Sequence, residues 1–217
     1  MVRHIALLIR KEWILDFRSR SAVSGIVLYI VATVYVLYLS VDTLTPTLWS
    51  GLIWVTLLFS GITAVNKSFV QEPPARHLYY YSTVSPQAVI IAKILYNAAF
   101  LVLLTVLAFV IFGLLMGFQI HNAMLMLGIL MAGAAGLSVT LSMVSAIAWK
   151  AGNSPALMAV LSFPLLIPLL LTLMKLSRAA VLDMWPPDIW KDALIFGALS
   201  LISLFVAVIL FPYLWKD

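Results

Sequence analysis

IIAKILYNAAFLVLLTVLAFVIFGLLMGF, residues Ile90 to Phe118, holds a single charged side chain, Lys93. A helix crossing about 30 Å of hydrocarbon needs roughly 20 mostly apolar residues, and this stretch exceeds that. It has no polar stripe that would let it lie on a soluble core. Lipid is therefore its solvent, and it reads as a transmembrane helix.

The same test applied outward finds five more spans: Ala22 to Ser40, Leu48 to Val65, Ala123 to Trp149, Pro155 to Met174 and Ala193 to Trp215. The predicted fold is an all-α membrane protein of six transmembrane helices, with residues 1–217 forming one transmembrane domain. Composition agrees. Hydrophobic residues make up 64% of the 217 and charged residues 10%, whereas soluble domains carry roughly 25% charged residues. The net charge of +5 sits at helix ends, which points to membrane orientation and not to nucleic acid. With no cysteine, disulfides, thiolate metal sites and cysteine nucleophiles are excluded.

Ahead of the first span, residues 1–20 carry Ile5, Leu8, Ile9, Trp13 and Phe17 at helical spacing, interleaved with Arg3, Arg10, Lys11, Arg18 and Arg20. That pattern predicts a basic amphipathic helix lying in the membrane interface. With the N-terminus in the cytoplasm, ten Lys and Arg fall inside and three outside (Lys175, Arg178 and Lys191). The positive-inside bias thus places both termini in the cytoplasm.

Most connections are short. The exception is the expected cytoplasmic loop over residues 66–88, with Glu72, Pro73, Pro74, Arg76, Tyr79, Tyr80, Tyr81 and Pro86. In a chain that otherwise minimises its loops, this polar, tyrosine-rich segment reads as a surface for a cytoplasmic partner. Ser85-Pro86-Gln87 reads as an N-cap with Pro at the first helical position.

Catalytic chemistry finds little support. No acidic residue falls inside a span, which counts against an ion-coupled carrier. Lys93 and Lys175 read as side chains that snorkel to the two surfaces. Ser60 and Ser138 lack a histidine within any span to serve as base. His4, His77 and His121 are too scattered for a metal motif. No Gly-x-x-x-x-Gly-Lys-Ser/Thr sequence is present, so the chain has no P-loop of its own, and if transport is ATP-driven another subunit hydrolyses the ATP. Two features are mechanical. Pro164 and Pro168, four apart in the fifth span, free two carbonyls and predict a kink or unwinding, which reads equally as a mechanical hinge or as a static kink for packing. Gly128, Ala132, Ala135, Gly136 and Ser142 in the fourth span predict close helix packing, within the chain or across a dimer.

The order of parts resembles the membrane subunits of ABC exporters of the ABC-2 type, and more specifically the CcmB family. Gly51-Leu52-Ile53-Trp54-Val55, Ala92-Lys93 and above all Phe163-Pro164-Leu165-Leu166-Ile167-Pro168-Leu169-Leu170 carry the resemblance. It implies the permease subunit of a haem exporter in cytochrome c maturation, in the bacterial inner membrane. Implied partners are a CcmA-like ATPase, CcmC-like and CcmD-like membrane proteins and a CcmE-like haem chaperone, with the permease as a homodimer. Haem is the implied substrate, and no cofactor is assigned to this chain. On this reading Glu72, Arg76, Tyr79, Tyr80, Tyr81 and Pro86 belong to the ATPase-coupling loop, and Pro164 and Pro168 to the hinge. Two rivals remain at this point: an ABC-2 permease for a lipid, glycan or drug, and a scaffold subunit that transports nothing.

Overall fold

A computed structural model describes residues 2–18, 20–70, 85–151, 155–182 and 187–216. Seven helices follow in order: α1 (Val2–Arg18), α2 (Arg20–Ser40), α3 (Pro46–Val70), α4 (Pro86–Met116), α5 (Ala123–Lys150), α6 (Pro155–Leu182) and α7 (Ile189–Lys216). Six of them, α2 to α7, are long and apolar enough to cross a bilayer. No strand occurs among the described residues.

Helix α5 is the hub and packs on α3, α4, α6 and α7. Its sequence explains the position. A Cβ on Gly133 would lie 2.3 Å from the Trp54 ring of α3, and one on Gly136 would lie 2.7 Å from the Phe196 ring of α7. Only glycine admits these aromatic side chains. The close approach falls on Gly133 and Gly136, while Gly128 and Ala132 of the expected small-residue stripe face outward. Trp49, Trp54, Tyr96, Phe112, Leu130 and Leu137 are among the side chains sealed inside.

Lipid offers no hydrogen bonds, so polar side chains must find partners within the bundle. Several join helices. Asn97 donates to Ser142 Oγ at 2.9 Å, and Ser138 Oγ donates to the Ile94 carbonyl at 3.1 Å, tying α4 to α5. The Trp54 indole donates to Ser177 Oγ at 2.9 Å, tying α3 to α6. Others turn back on their own helix, as Ser60 does to the Thr56 carbonyl. Ser60 and Ser138, the two serines weighed as nucleophiles, thus spend their hydroxyl protons on backbone carbonyls.

At the end of the bundle away from α1, Asn122 caps α5 by accepting from Leu125 N–H at 3.0 Å. The backbone N–H of Asn122 reaches the Ala180 carbonyl at 2.9 Å, pinning this turn to the end of α6. His121 is exposed there.

Candidate functional site

The long polar segment of the sequence reading is framed by the end of α3 and the start of α4. Helix α3 continues through Val70 and α4 opens at Pro86, so residues 66–70 and 86–88 are helical. Ser85 occupies the N-cap position in extended conformation with Pro86 at the first helical position. The Ser85 carbonyl receives Ala88 N–H at 2.9 Å, while its hydroxyl makes no capping bond. Glu72, Pro73, Pro74, Arg76, His77, Tyr79, Tyr80 and Tyr81 lie outside the described residues.

Both roots of that segment are gripped by α1. Leu8, Glu12 and Asp16 recur every four residues and so share one helix face. Leu8 packs against the core, and Glu12 is only 8% exposed. Asp16 pairs with Lys67, in the last turn of α3, at 2.7 Å. Glu12 approaches Lys93 of α4 at 3.5 Å. The Lys93 ammonium also donates to the Ser68 carbonyl of α3 at 2.6 Å and lies 4.8 Å from the centre of the Phe69 ring. The Tyr96 hydroxyl donates to the second Asp16 oxygen. Glu12 has a further ion pair with Lys11 at 2.9 Å. Two carboxylates of one helix thereby bind two lysines of two others.

This arrangement corrects the expectation for Lys93. It does not snorkel: at 4% exposure it is enclosed by α1, α3 and α4. Seven residues into α4, or about 10 Å along the helix, an ammonium needs a counter-charge, and α1 supplies it. Among the described residues the spanning helices α3 to α6 carry no carboxylate, and Asp192 in the first turn of α7 lies at the opposite end of the bundle, so the carboxylates that meet Lys67 and Lys93 enter from α1, outside the spanning helices.

An aromatic cluster backs the ion pairs. Trp13 stands edge-on to Tyr96, ring centres 5.5 Å apart, and to Phe100 at 6.5 Å; Tyr96 and Phe100 stack at 6.1 Å. Edge-to-face contacts of this kind add to the burial term. Trp13, read from sequence as a membrane-facing residue, is thus half-buried against α4. The opposite face of α1 leaves Arg3, His4, Leu7, Arg10 and Ile14 exposed, which keeps the amphipathic character read from sequence.

The two prolines sit away from this cluster. Helix α6 runs unbroken from Pro155 to Leu182 with Pro164 and Pro168 inside it, so the chain does not unwind there. Each proline lacks an N–H, and the carbonyls of Val160 and Pro164 therefore lose their helical partners. A shallow outward-facing depression of about 500 Å³ is lined by Val160, Phe163, Pro164 and Ile167. Lys175, at the far end of α6, is largely exposed and pairs with Asp192 of α7 at 3.3 Å. Among the described residues no group of His, Cys, Asp or Glu is placed to hold a metal ion.

A family model described as CcmB protein matches residues 3–213. The chain belongs to the CcmB family. No curated protein matches it significantly. CcmB membership makes it a multi-pass membrane permease component of haem export in cytochrome c maturation. It also implies a place in the Ccm system with an ABC ATPase partner. The match spans α1 as well as the six membrane helices, so the ion cluster described above lies within the CcmB homology.

The sequence reading missed Glu12 and Asp16. Their signal was present: two acids four residues apart on one face of a helix otherwise rich in Lys and Arg. Counting α1 as a basic helix averaged that face away.

Proposed function

We propose that this CcmB-family chain transmits ATP hydrolysis in a CcmA-like partner to haem delivery, and that α1 and the 71–84 segment form its receiving element. One observation carries the reading. Glu12 and Asp16 lock one surface helix to both roots of the segment, through Lys67 on α3 and Lys93 on α4. A push on the segment then moves three helices as a unit. The hydrogen bonds from α4 to α5 and from α3 to α6 carry the displacement inward. Pro164 and Pro168 give α6 two places that bend at low cost, since the bonds they lack need not be broken.

In this reading Glu72, Arg76, Tyr79, Tyr80, Tyr81 and Pro86 face the ATPase. Both termini and α1 lie on the cytoplasmic side of a bacterial inner membrane, with α1 in the interface. The permease works as a homodimer alongside CcmC-like, CcmD-like and CcmE-like proteins. Haem is the cargo or the group whose chaperone is released, and ATP acts only through the partner.

Affinity purification from membranes in mild detergent, with mass spectrometry of what accompanies the chain, tests this. A P-loop ATPase with CcmC-like and CcmE-like proteins is the expected recovery. Replacing Tyr79, Tyr80 and Tyr81 with alanine should lower ATPase recovery and leave membrane insertion intact. Unchanged ATPase recovery from that variant overturns the coupling assignment. An ATPase recovered alone reopens the substrate.

A further inference from the structure

On the far side of the bundle from α1, an apolar trough of about 560 Å³ runs between α3 and α6. Its walls include Leu48, Gly51, Val55 and Leu58 on α3 and Leu170 and Met174 on α6. Leu48 to Leu58 measures about 15 Å along the helix, half of a bilayer's hydrocarbon thickness of about 30 Å. The trough is thus one leaflet deep and open to the lipid side. Thr45 and Thr47 stand at its mouth, beside the start of α3.

A cation follows the trough's lining residues on α6. Leu170, Met174 and Arg178 recur every four residues on α6, so Arg178 continues the trough-facing row by one turn toward the membrane surface. Arg178 is exposed and has no ion-pair partner among the described residues. Neighbouring Lys175 differs, because Asp192 takes its charge. An apolar channel one leaflet long, ending at an uncommitted guanidinium and two hydroxyls, has the polarity profile of an anionic amphiphile. Arg suits phosphate because its planar fork donates two parallel bonds.

We infer that this trough is a binding site for one acyl chain of an anionic phospholipid of the leaflet opposite α1, with the phosphate on Arg178. A second copy of the chain fits the trough less well. A two-fold axis along the membrane normal keeps each residue and its copy at equal depth, so a second copy seated there would place two Arg178 guanidinium groups at one level of the same interface.

Gly51 provides the test. It is half-buried, and a Cβ there meets nothing within 4 Å. A leucine at this position therefore starts from open space on the trough wall and takes up part of its volume. The full-length chain, purified in detergent, is mixed with equal amounts of phosphatidylglycerol and phosphatidylethanolamine of identical acyl chains, and retained lipid is read by native mass spectrometry. The unaltered chain should retain one phosphatidylglycerol with a preference of about fivefold, the effect of one basic side chain beside an anionic headgroup. Arg178→Gln should bring the two lipids to parity. Gly51→Leu should lose both while keeping its helical circular-dichroism spectrum, and glycerol phosphate without chains should not compete. Should Gly51→Leu not fold, Leu48→Trp at the exposed rim blocks the same mouth. Equal retention of the two lipids by the unaltered chain overturns the headgroup assignment, and undiminished retention by the filled variants overturns the site. A filled variant that turns dimers into monomers with lipid retention unchanged assigns the trough to contact between copies.

Discussion

Removing Glu12 and removing Lys93 should have unequal effects. Glu12→Ala leaves Lys93 enclosed by Ser68, Phe69 and α4 and removes the carboxylate that α1 brings to it. Breaking a buried pair by deleting one partner costs about 3–5 kcal/mol, because the surviving charge stays desolvated. Lys93 keeps the Ser68 carbonyl and the Phe69 ring, so the lower end applies, about 3 kcal/mol. At roughly 2–4 °C per kcal/mol for a chain of this size, the melting temperature falls by about 6–12 °C. Lys93→Met removes the buried charge and keeps the volume. Glu12 then retains Lys11 at 2.9 Å, and the main loss is one donor to the Ser68 carbonyl, about 1 kcal/mol. The assay is thermal unfolding in detergent followed by tryptophan fluorescence, since Trp13 rests on Tyr96 and reports release of α1. Trypsin cleavage after Arg10 and Lys11 should accelerate in Glu12→Ala far more than in Lys93→Met. Equal losses in the two variants would refute the reasoning, because they would mean that attraction within the pair outweighs the cost of burying it.

Two further outcomes follow from the packing of α5 and α6. Gly133→Ala should destabilise by about 1–3 kcal/mol through overpacking against Trp54, whereas Gly128→Ala, where a Cβ meets open space, should be neutral or gain up to about 1 kcal/mol from helix propensity; the same unfolding assay reads both. Replacing Pro164 and Pro168 together with alanine restores two backbone donors to α6 and should raise the melting temperature. The same variant should slow haem delivery in a cytochrome c maturation assay, and an unchanged rate would remove the prolines from the mechanism.

The spans were legible because lipid imposes one simple rule on long segments: few charges and enough length. That rule found all six of α2 to α7, and positions such as Ala123 matched the structure directly. Helix α6 outran its expectation at Met174 and continues to Leu182, because Lys175 and Arg178 extend into the interface without ending the helix. The ion cluster was illegible for a different reason. Glu12 and Lys93 are 81 residues apart, and no periodicity within either helix announces the other. Composition marked Lys93 as anomalous, and snorkelling was the local explanation for a lysine near a helix start; only the docking of α1 on α4 replaces it. The small residues of α5 were recognised as packing residues, but which of them face neighbours depends on the rotation of the helix. Sequence spacing named Gly136 correctly along with Gly128 and Ala132, which face outward, and it missed Gly133, which Trp54 selects.

The separation between Glu12 and Lys93 also sets an order of events at the ribosome. Chains emerge at about 5–20 residues per second, so α1 precedes its partner on α4 by roughly 4–16 s. Lys67 follows Asp16 by 51 residues, so for most of that interval Glu12 and Asp16 have neither lysine. The nascent α1 must wait at the membrane surface until the α3–α4 hairpin is threaded, and it docks only then. A ribosome-bound chain arrested before Lys67 has left the exit tunnel should therefore be cut readily after Arg10 and Lys11, and one long enough to free Tyr96 from the tunnel should be cut more slowly there.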